Sequence, residues 1–113
     1  MIRLIVMYNL PSDADETQFL DWRLGAHQQS NAALPQMLNT DFGRIVGAWP
    51  QDAVPRFRFV TTVEWPNMSA FEEAFYESDV QAGLRENIKK LGDFEYSISE
   101  ILTSSNDIGV NHS

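Results

Sequence analysis

The chain opens on Ile2-Arg3-Leu4-Ile5-Val6-Met7-Tyr8, a run that is apolar on both alternating sets of positions. As a strand it carries Ile2, Leu4, Val6 and Tyr8 on one face and Ile5 and Met7 on the other, with Arg3 as the interruption. A strand that is apolar on both sides has to be covered on both sides. The fold must therefore place this run in the middle of a layered structure. It is too short to cross a membrane, lacks a cleavage site and stops at the turn signal Asn9-Leu10-Pro11-Ser12-Asp13, so it reads as a buried strand and not a targeting segment.

Downstream, Asp13 with Glu16 three residues on predicts a capping box. A helix is expected over residues 14–33, stopped by Pro35, with Gly25 implying a kink or a close contact. Phe19, Arg23 and His27 are spaced i, i+4, i+8 along one side of that helix, and Trp22 and Ala26 lie beside them. An aromatic ring, a guanidinium and an imidazole in a row form an unusual set for a plain core face. If the chain has a chemical site, this row is expected to belong to it.

Residues 37–49 read as a long strand in which Gly43 and Gly47 mark bulges or close approaches. A loop bounded by Pro50 and Pro55 leads into residues 56–65. There Phe57, Phe59, Thr61, Val63 and Trp65 alternate with Arg56, Arg58, Val60, Thr62 and Glu64, and the two strands are expected to pair as an antiparallel hairpin. Asn67 or Ser69 caps a second helix with Phe71, Ala74 and Phe75 as its stripe. Ser78-Asp79 caps a further segment with Val80, Leu84, Ile88 and Leu91 at helical spacing, ended by Gly92. Residues 94–101 form the last strand, and residues 103–113 are a polar, flexible tail.

The order β-α-β-β-α-β is that of the ferredoxin-like split βαβ unit, an α+β fold with helices on one face of a four-stranded antiparallel sheet. One such domain over residues 1–102 suits a chain of 113 residues. The other sheet face would leave the second apolar side of the first strand in water. The economical solution is a homodimer that packs its sheets face to face into an α/β barrel.

Composition excludes several functions. With no cysteine there are no disulfides, thiolate metal sites or cysteine nucleophiles, which fits a reducing cytoplasm. A net charge of −8 argues against nucleic-acid binding. Two histidines, one of them His112 in the tail, give no metal-ligand cluster, and no cofactor-binding motif is present. No segment has the length of a membrane span.

Several motifs resemble those of EthD-like proteins of the dimeric α/β-barrel superfamily. Phe19-Leu20-Asp21-Trp22-Arg23 followed by His27 is similar to that family's helix signature, and Val63-Glu64-Trp65 leading to Ser69-Ala70-Phe71-Glu72-Glu73-Ala74-Phe75 and Ser78-Asp79 is similar to a motif of the wider superfamily. The resemblance covers residues 1 to about 102. It implies a ferredoxin-like protomer, a face-to-face dimer, and a cavity between sheet and helices with the signature His27 facing it. Related small enzymes isomerise muconolactones, oxygenate polyketide quinones without a cofactor or degrade haem. This chain departs from the lactone isomerases in lacking a cysteine and a second histidine outside the tail. It departs from the haem-degrading relatives in carrying Gly83-Leu84-Arg85 where they have a histidine.

His27 is the candidate proton carrier; the alternative is a histidine that caps its helix. Arg23 beside it would favour the neutral imidazole, whereas a helix carbonyl end would favour the cation. Arg23 is a candidate clamp for a carboxylate or enolate, Trp22 for ligand stacking, and Tyr8 and Tyr96 for cavity hydroxyls if their strands are neighbours. Trp65, near a strand end, is a further candidate for the ligand pocket, and Trp49 for a pocket or a dimer seam. The expected function is binding, and conversion by cofactor-free proton transfer at His27, of a small oxygenated organic molecule. Isomerase, lactone and oxygenase-like chemistry are the reaction types in view. The alternative is a non-catalytic binding or accessory module of a catabolic system.

Overall fold

The computed structural model describes residues 1–27, 29 and 34–105, with Ala26 by its backbone. The described residues form β1 (Ile2–Tyr8), α1 (Glu16–Trp22), a kinked turn (Arg23–His27), β2 (Asn39–Arg44), β3 (Phe59–Trp65), α2 (Met68–Phe75), α3 (Ser78–Ile88) and β4 (Phe94–Glu100). The sheet order is β2-β3-β1-β4, all antiparallel, so the doubly apolar strand lies in its interior as its pattern requires. Ile2 faces Trp65 on one side and Glu100 on the other, and Tyr8 faces Phe59 and Phe94.

Ile2, Leu4, Val6 and Tyr8 of β1 and Phe59, Val63 and Trp65 of β3 are buried against Ala70, Phe71 and Ala74 of α2. The helix layer is uneven. α2 packs closely on the Trp65 end of the sheet, whereas α3 has no fully buried residue, its stripe Val80, Leu84 and Ile88 being half-buried. Space is left between α1, α3 and the Tyr8 end of the sheet. On the opposite sheet face Ile5, Met7, Val60 and Thr62 form a half-buried centre, flanked by Arg3, which bonds Glu64 at 3.2 Å.

Several local expectations are corrected. The first helix is capped by Asp15, not Asp13: its carboxylate accepts from the N–H groups of Thr17 (2.9 Å) and Gln18 (3.2 Å). Ala14 N–H bonds Pro11 O at 3.0 Å, so residues 11–14 are spent on a turn and the helix starts later. Glu16 closes no capping box; it binds Arg58 at 2.9 Å and lies 3.7 Å from Arg44, tying α1 to the sheet. The regular helix gives out after Trp22, at a kink centred on Gly25. A Cβ there would touch nothing within 4 Å, so the kink and not a close contact is what this glycine marks. Residues 28 and 30–33 of the expected helix, and residues 106–113 of the expected tail, lie outside the described residues.

The strand expected over residues 37–49 is confined to Asn39–Arg44. Its register runs unbroken through Gly43, opposite Val60, without a bulge. The β2–β3 connection is accordingly longer than expected, and Val46, Trp49 and Val54 in it are almost fully exposed. Trp49 therefore stands in solvent, away from the cavity under α1 and α3. α3 is capped by Glu77, whose carboxylate accepts from Asp79 and Val80 N–H at 3.0 Å each, and Ser78 is its first residue. Gly92 ends the α3 segment at a close approach: its N–H bonds Asn9 O at 2.8 Å, and a Cβ on it would sit 3.0 Å from Leu10 O. A side chain there would force the β1 exit or the β4 entry to give way by a few tenths of an ångström.

Candidate ligand cavity and its polar cluster

The space under α1 and α3 is a cavity of about 630 Å3, within the size range of small-ligand sites. Its floor is the buried face of the sheet, with Leu4, Val6 and Tyr8 from β1, Thr61 and Val63 from β3 and Tyr96 from β4. α1 and the turn after it contribute Phe19, Trp22, Arg23 and His27. α3 and the residues beyond contribute Val80, Gly83, Leu84, Asn87 and Lys90. Tyr8, Trp22, Arg23, His27 and Tyr96 are thus brought together by the fold.

Arg23 is the most unusual of these groups. It is 2% exposed, and the other largest fully buried side chains among the described residues, Trp65, Phe59 and Phe71, are aromatic. Its Nη2 donates to Thr61 Oγ1 at 3.1 Å, and the guanidinium lies 4.2 Å from the centre of the Phe42 ring, a cation–π contact. The Tyr8 hydroxyl shares hydrogen bonds with Arg23 and Thr61. Burial raises the Tyr8 pKa and the adjacent Arg23 pulls it back, while burial lowers that of Arg23 and Tyr8 opposes the change. Burial, with Tyr8 beside it, pushes Tyr96 up to about 12, so its phenol stays protonated and is a hydrogen-bond donor at neutral pH. Phe19 packs among Tyr8, Phe42, Phe59 and Trp22, with ring centres 5.2–6.5 Å apart, and fixes the apolar wall from which the arginine projects.

His27 stacks on Trp22, ring centres 4.4 Å apart and planes 25° from parallel. In an unbroken α-helix residues five apart lie well off one another's face. Gly25, at φ −94° and ψ −112°, leaves the helical range and kinks the chain between them, so the imidazole comes to lie over Trp22 instead of continuing the expected Phe19-Arg23 row. Lys90, from beyond α3, reaches the same indole at 5.1 Å. Burial, then Arg23, then Lys90 lower the His27 pKa to about 4, so at neutral pH the imidazole is uncharged.

Trp65 is a correction. It is fully buried, but at the other end of the sheet, edge-on to Phe71 at 5.2 Å with its indole N–H donating to Pro35 O at 3.0 Å. α2 covers that end, so Trp65 is core and does not line the cavity. Thr61, Asn87 and Lys90 were not singled out from the sequence, yet each left a signal. Thr61 is the polar member of the buried alternation Phe57-Phe59-Thr61-Val63-Trp65. Gly83 and Asn87 fall on the inward stripe of α3, where a glycine and an amide break what would otherwise be a core face. Among the described residues no group of three or more His, Cys, Asp or Glu side chains is placed to hold a metal ion, and no helix is long and apolar enough to cross a membrane.

No family model and no curated protein matches the sequence; the likeness is in three dimensions. An EthD-family protein from Bacillus halodurans superposes with a TM-score of 0.73 at 19% identity, over 90% of this chain and 99% of that one. A hydroxynitrile lyase from Passiflora edulis gives a TM-score of 0.75 at 16% identity, over 93% and 96%. A dimeric ferredoxin-like protein of unknown function from Thermobifida fusca gives 0.68 at 20% identity, over 88% and 90%. The chain has the ferredoxin-like fold that EthD-family and other dimeric α/β-barrel proteins share.

Proposed function

We propose that this chain is a homodimeric protein that binds a small oxygenated organic molecule in the α1–α3 cavity and moves a proton on it through His27, without a cofactor. The observation that carries the reading is the convergence of a neutral histidine, a buried arginine and two phenols in one cavity, whose remaining lining is mainly apolar but includes Asp13, Asp15, Asn87 and Lys90. An imidazole of low pKa is a weak base, so it removes a proton from carbon only if the resulting charge is stabilised nearby. Arg23 and the Tyr8 hydroxyl supply fixed donors for an enolate oxygen formed beside it. The developing anion in turn raises the affinity of His27 for the proton it takes. That a hydroxynitrile lyase shares the fold supports proton-transfer chemistry in such a frame.

The exchange of α-protons for deuterium tests this without knowledge of the natural substrate. With acetophenone and an α,β-unsaturated γ-lactone in D2O, the protein is expected to accelerate exchange, and His27→Ala to lower that rate about 10²-fold or more. Exchange that survives the substitution would remove His27 from the chemistry. One observation favours a second reading, a binding or accessory module: the imidazole lies flat on Trp22, an arrangement suited to an aromatic wall. Saturable binding without exchange, unaffected by His27→Ala, would select it.

The dimer is supported by the half-buried apolar centre of the outer sheet face, Ile5, Met7 and Val60, and by the dimeric state of a protein of the same fold. Sedimentation velocity at micromolar concentration is expected to give twice the monomer mass, and Met7→Lys to shift the equilibrium to monomer. A wild-type monomer would end the barrel reading.

A further inference from the structure

The space beneath α3 continues past the polar cluster. A second groove of about 350 Å3 runs along the β4 edge, between the C-terminal half of α3 and the strand. Leu4, Phe75, Leu84 and Tyr96 line both spaces and form the partition between them. The two differ in chemistry. The first holds Arg23, His27, Tyr8 and Thr61; beyond the partition the walls are Ile88, Phe94 and Ile98, with Tyr76 and Arg85 at the margin. Phe94 and Ile98 are about half exposed although, paired with Tyr8 and Leu4, they face the helix side of the sheet, where a packed helix would cover them; Tyr76, at the end of α2, is about half exposed beside them. α3 does not do so, because its own stripe is only half-buried. A run of apolar surface that the fold leaves wet, continuous with a cavity containing polar groups at its far end, has the form of one elongated site.

We infer that the groove is a tail subsite, and that the ligand is amphipathic, with an oxygen-bearing head at Arg23, Tyr8 and His27 and an alkyl tail that passes Leu84 and Tyr96 to lie on Ile88, Phe94 and Ile98. This rests on the reading of the larger cavity as a ligand site. Three properties argue for a tail of the same ligand as the occupant. The groove shares its walls with the head cavity, it holds no polar cluster of its own, and its partition includes Leu84, a flexible side chain on a lightly packed helix. A ligand ending at the partition would leave the Ile98 groove in water; an alkyl extension removes that surface from solvent.

The test is calorimetric titration of the full chain with 4-methylphenol, 4-propylphenol and 4-hexylphenol, which share a head and differ in tail. In the wild type, affinity is expected to rise by up to about fourfold per added methylene. Ile98→Trp and Ile88→Trp fill the groove from opposite walls. In both, the gain with chain length is expected to vanish while 4-methylphenol binds as before. Nuclear Overhauser contacts between the hexyl chain and the Ile88 and Ile98 methyl groups of the wild type give the same answer without any substitution. A gain retained in both variants, or absent in the wild type although 4-methylphenol binds, overturns the tail subsite and leaves the head cavity standing. If none of the three phenols binds, the reading of the cavity itself fails. A change of sedimentation mass in either variant would show the groove to be a protein-binding surface and would also overturn the inference.

Discussion

Trp65→Ala is expected to lower the unfolding free energy by about 3–5 kcal/mol, a large share of the about 5–15 kcal/mol typical of a domain. The side chain is 0% exposed and sits where β3 hands the chain to α2. Its ring is packed edge-on against Phe71, and its backbone pairs with Ile2 at the start of β1. Truncation would open a void among groups that strands and helix hold in place, and would strip Pro35 O of the indole N–H that it accepts from. Trp65→Phe keeps most of the apolar volume and loses the hydrogen bond, so it should cost about 1–3 kcal/mol. Urea unfolding followed by far-ultraviolet circular dichroism measures both. The second half of the prediction separates core from site: folded Trp65→Phe should bind 4-methylphenol as the wild type does. Weakened binding by the folded variant would return Trp65 to the ligand-binding set.

The unfolding free energy should also fall with pH in a window set by His27. Its ordinary pKa of 6.5 is lowered to about 4 in the folded protein, first by burial and then by Arg23 and Lys90. Between those values the unfolded chain binds a proton that the folded chain refuses, so acid favours unfolding. The contribution is fully present above about pH 6.5 and is lost as the pH falls toward 4. Its size is about 2–3 kcal/mol after allowance for partial exposure. Carboxylates held below their usual range, such as Glu16 by Arg58, act in the same direction at the acid end. The difference between wild type and His27→Gln isolates the imidazole. That difference should be constant from pH 7 to 8 and should change by the stated amount between pH 6.5 and 4. A flat difference across the whole range would mean that the imidazole titrates as it does in water.

The strands were legible because a period of two survives burial. Ile2–Tyr8 announced an interior strand, and the alternation from Phe57 to Trp65 named the buried face residue by residue. Parity identifies a face, however, and not a position along it. Trp65 and Thr61 share a face, but α2 packs over the first and leaves the second to the cavity. The Phe19-Arg23-His27 row was legible only as far as the helix stayed regular. Its spacing presupposes 3.6 residues per turn, and Gly25 breaks that period between the second and third members. Arg23 and His27 do share a cavity, but the histidine arrives there by stacking on Trp22. The caps failed for a more local reason. Asp13 and Asp15, and likewise Ser78 and Glu77, compete for neighbouring helix starts, and the preceding turn decides between them.

Beside His27 the neighbouring charges, Arg23 and Lys90, are opposite in sign to the molecule as a whole, while Asp13 and Asp15 lie elsewhere on the cavity lining. The chain carries a net charge of −8, whereas the field at His27 is positive enough for Arg23 and Lys90 to hinder its protonation. An anion approaching through dilute electrolyte is therefore repelled from afar by the net charge, and meets Arg23 and Lys90 only within about 8–10 Å, the screening distance at ordinary ionic strength. Added salt would mute the distant repulsion more than it weakens the grip of the buried guanidinium. Entry of an anionic ligand would thus quicken with salt, the reverse of what electrostatic steering produces. A neutral ligand that acquires charge only after entry, as the proposed proton transfer requires, escapes that barrier altogether.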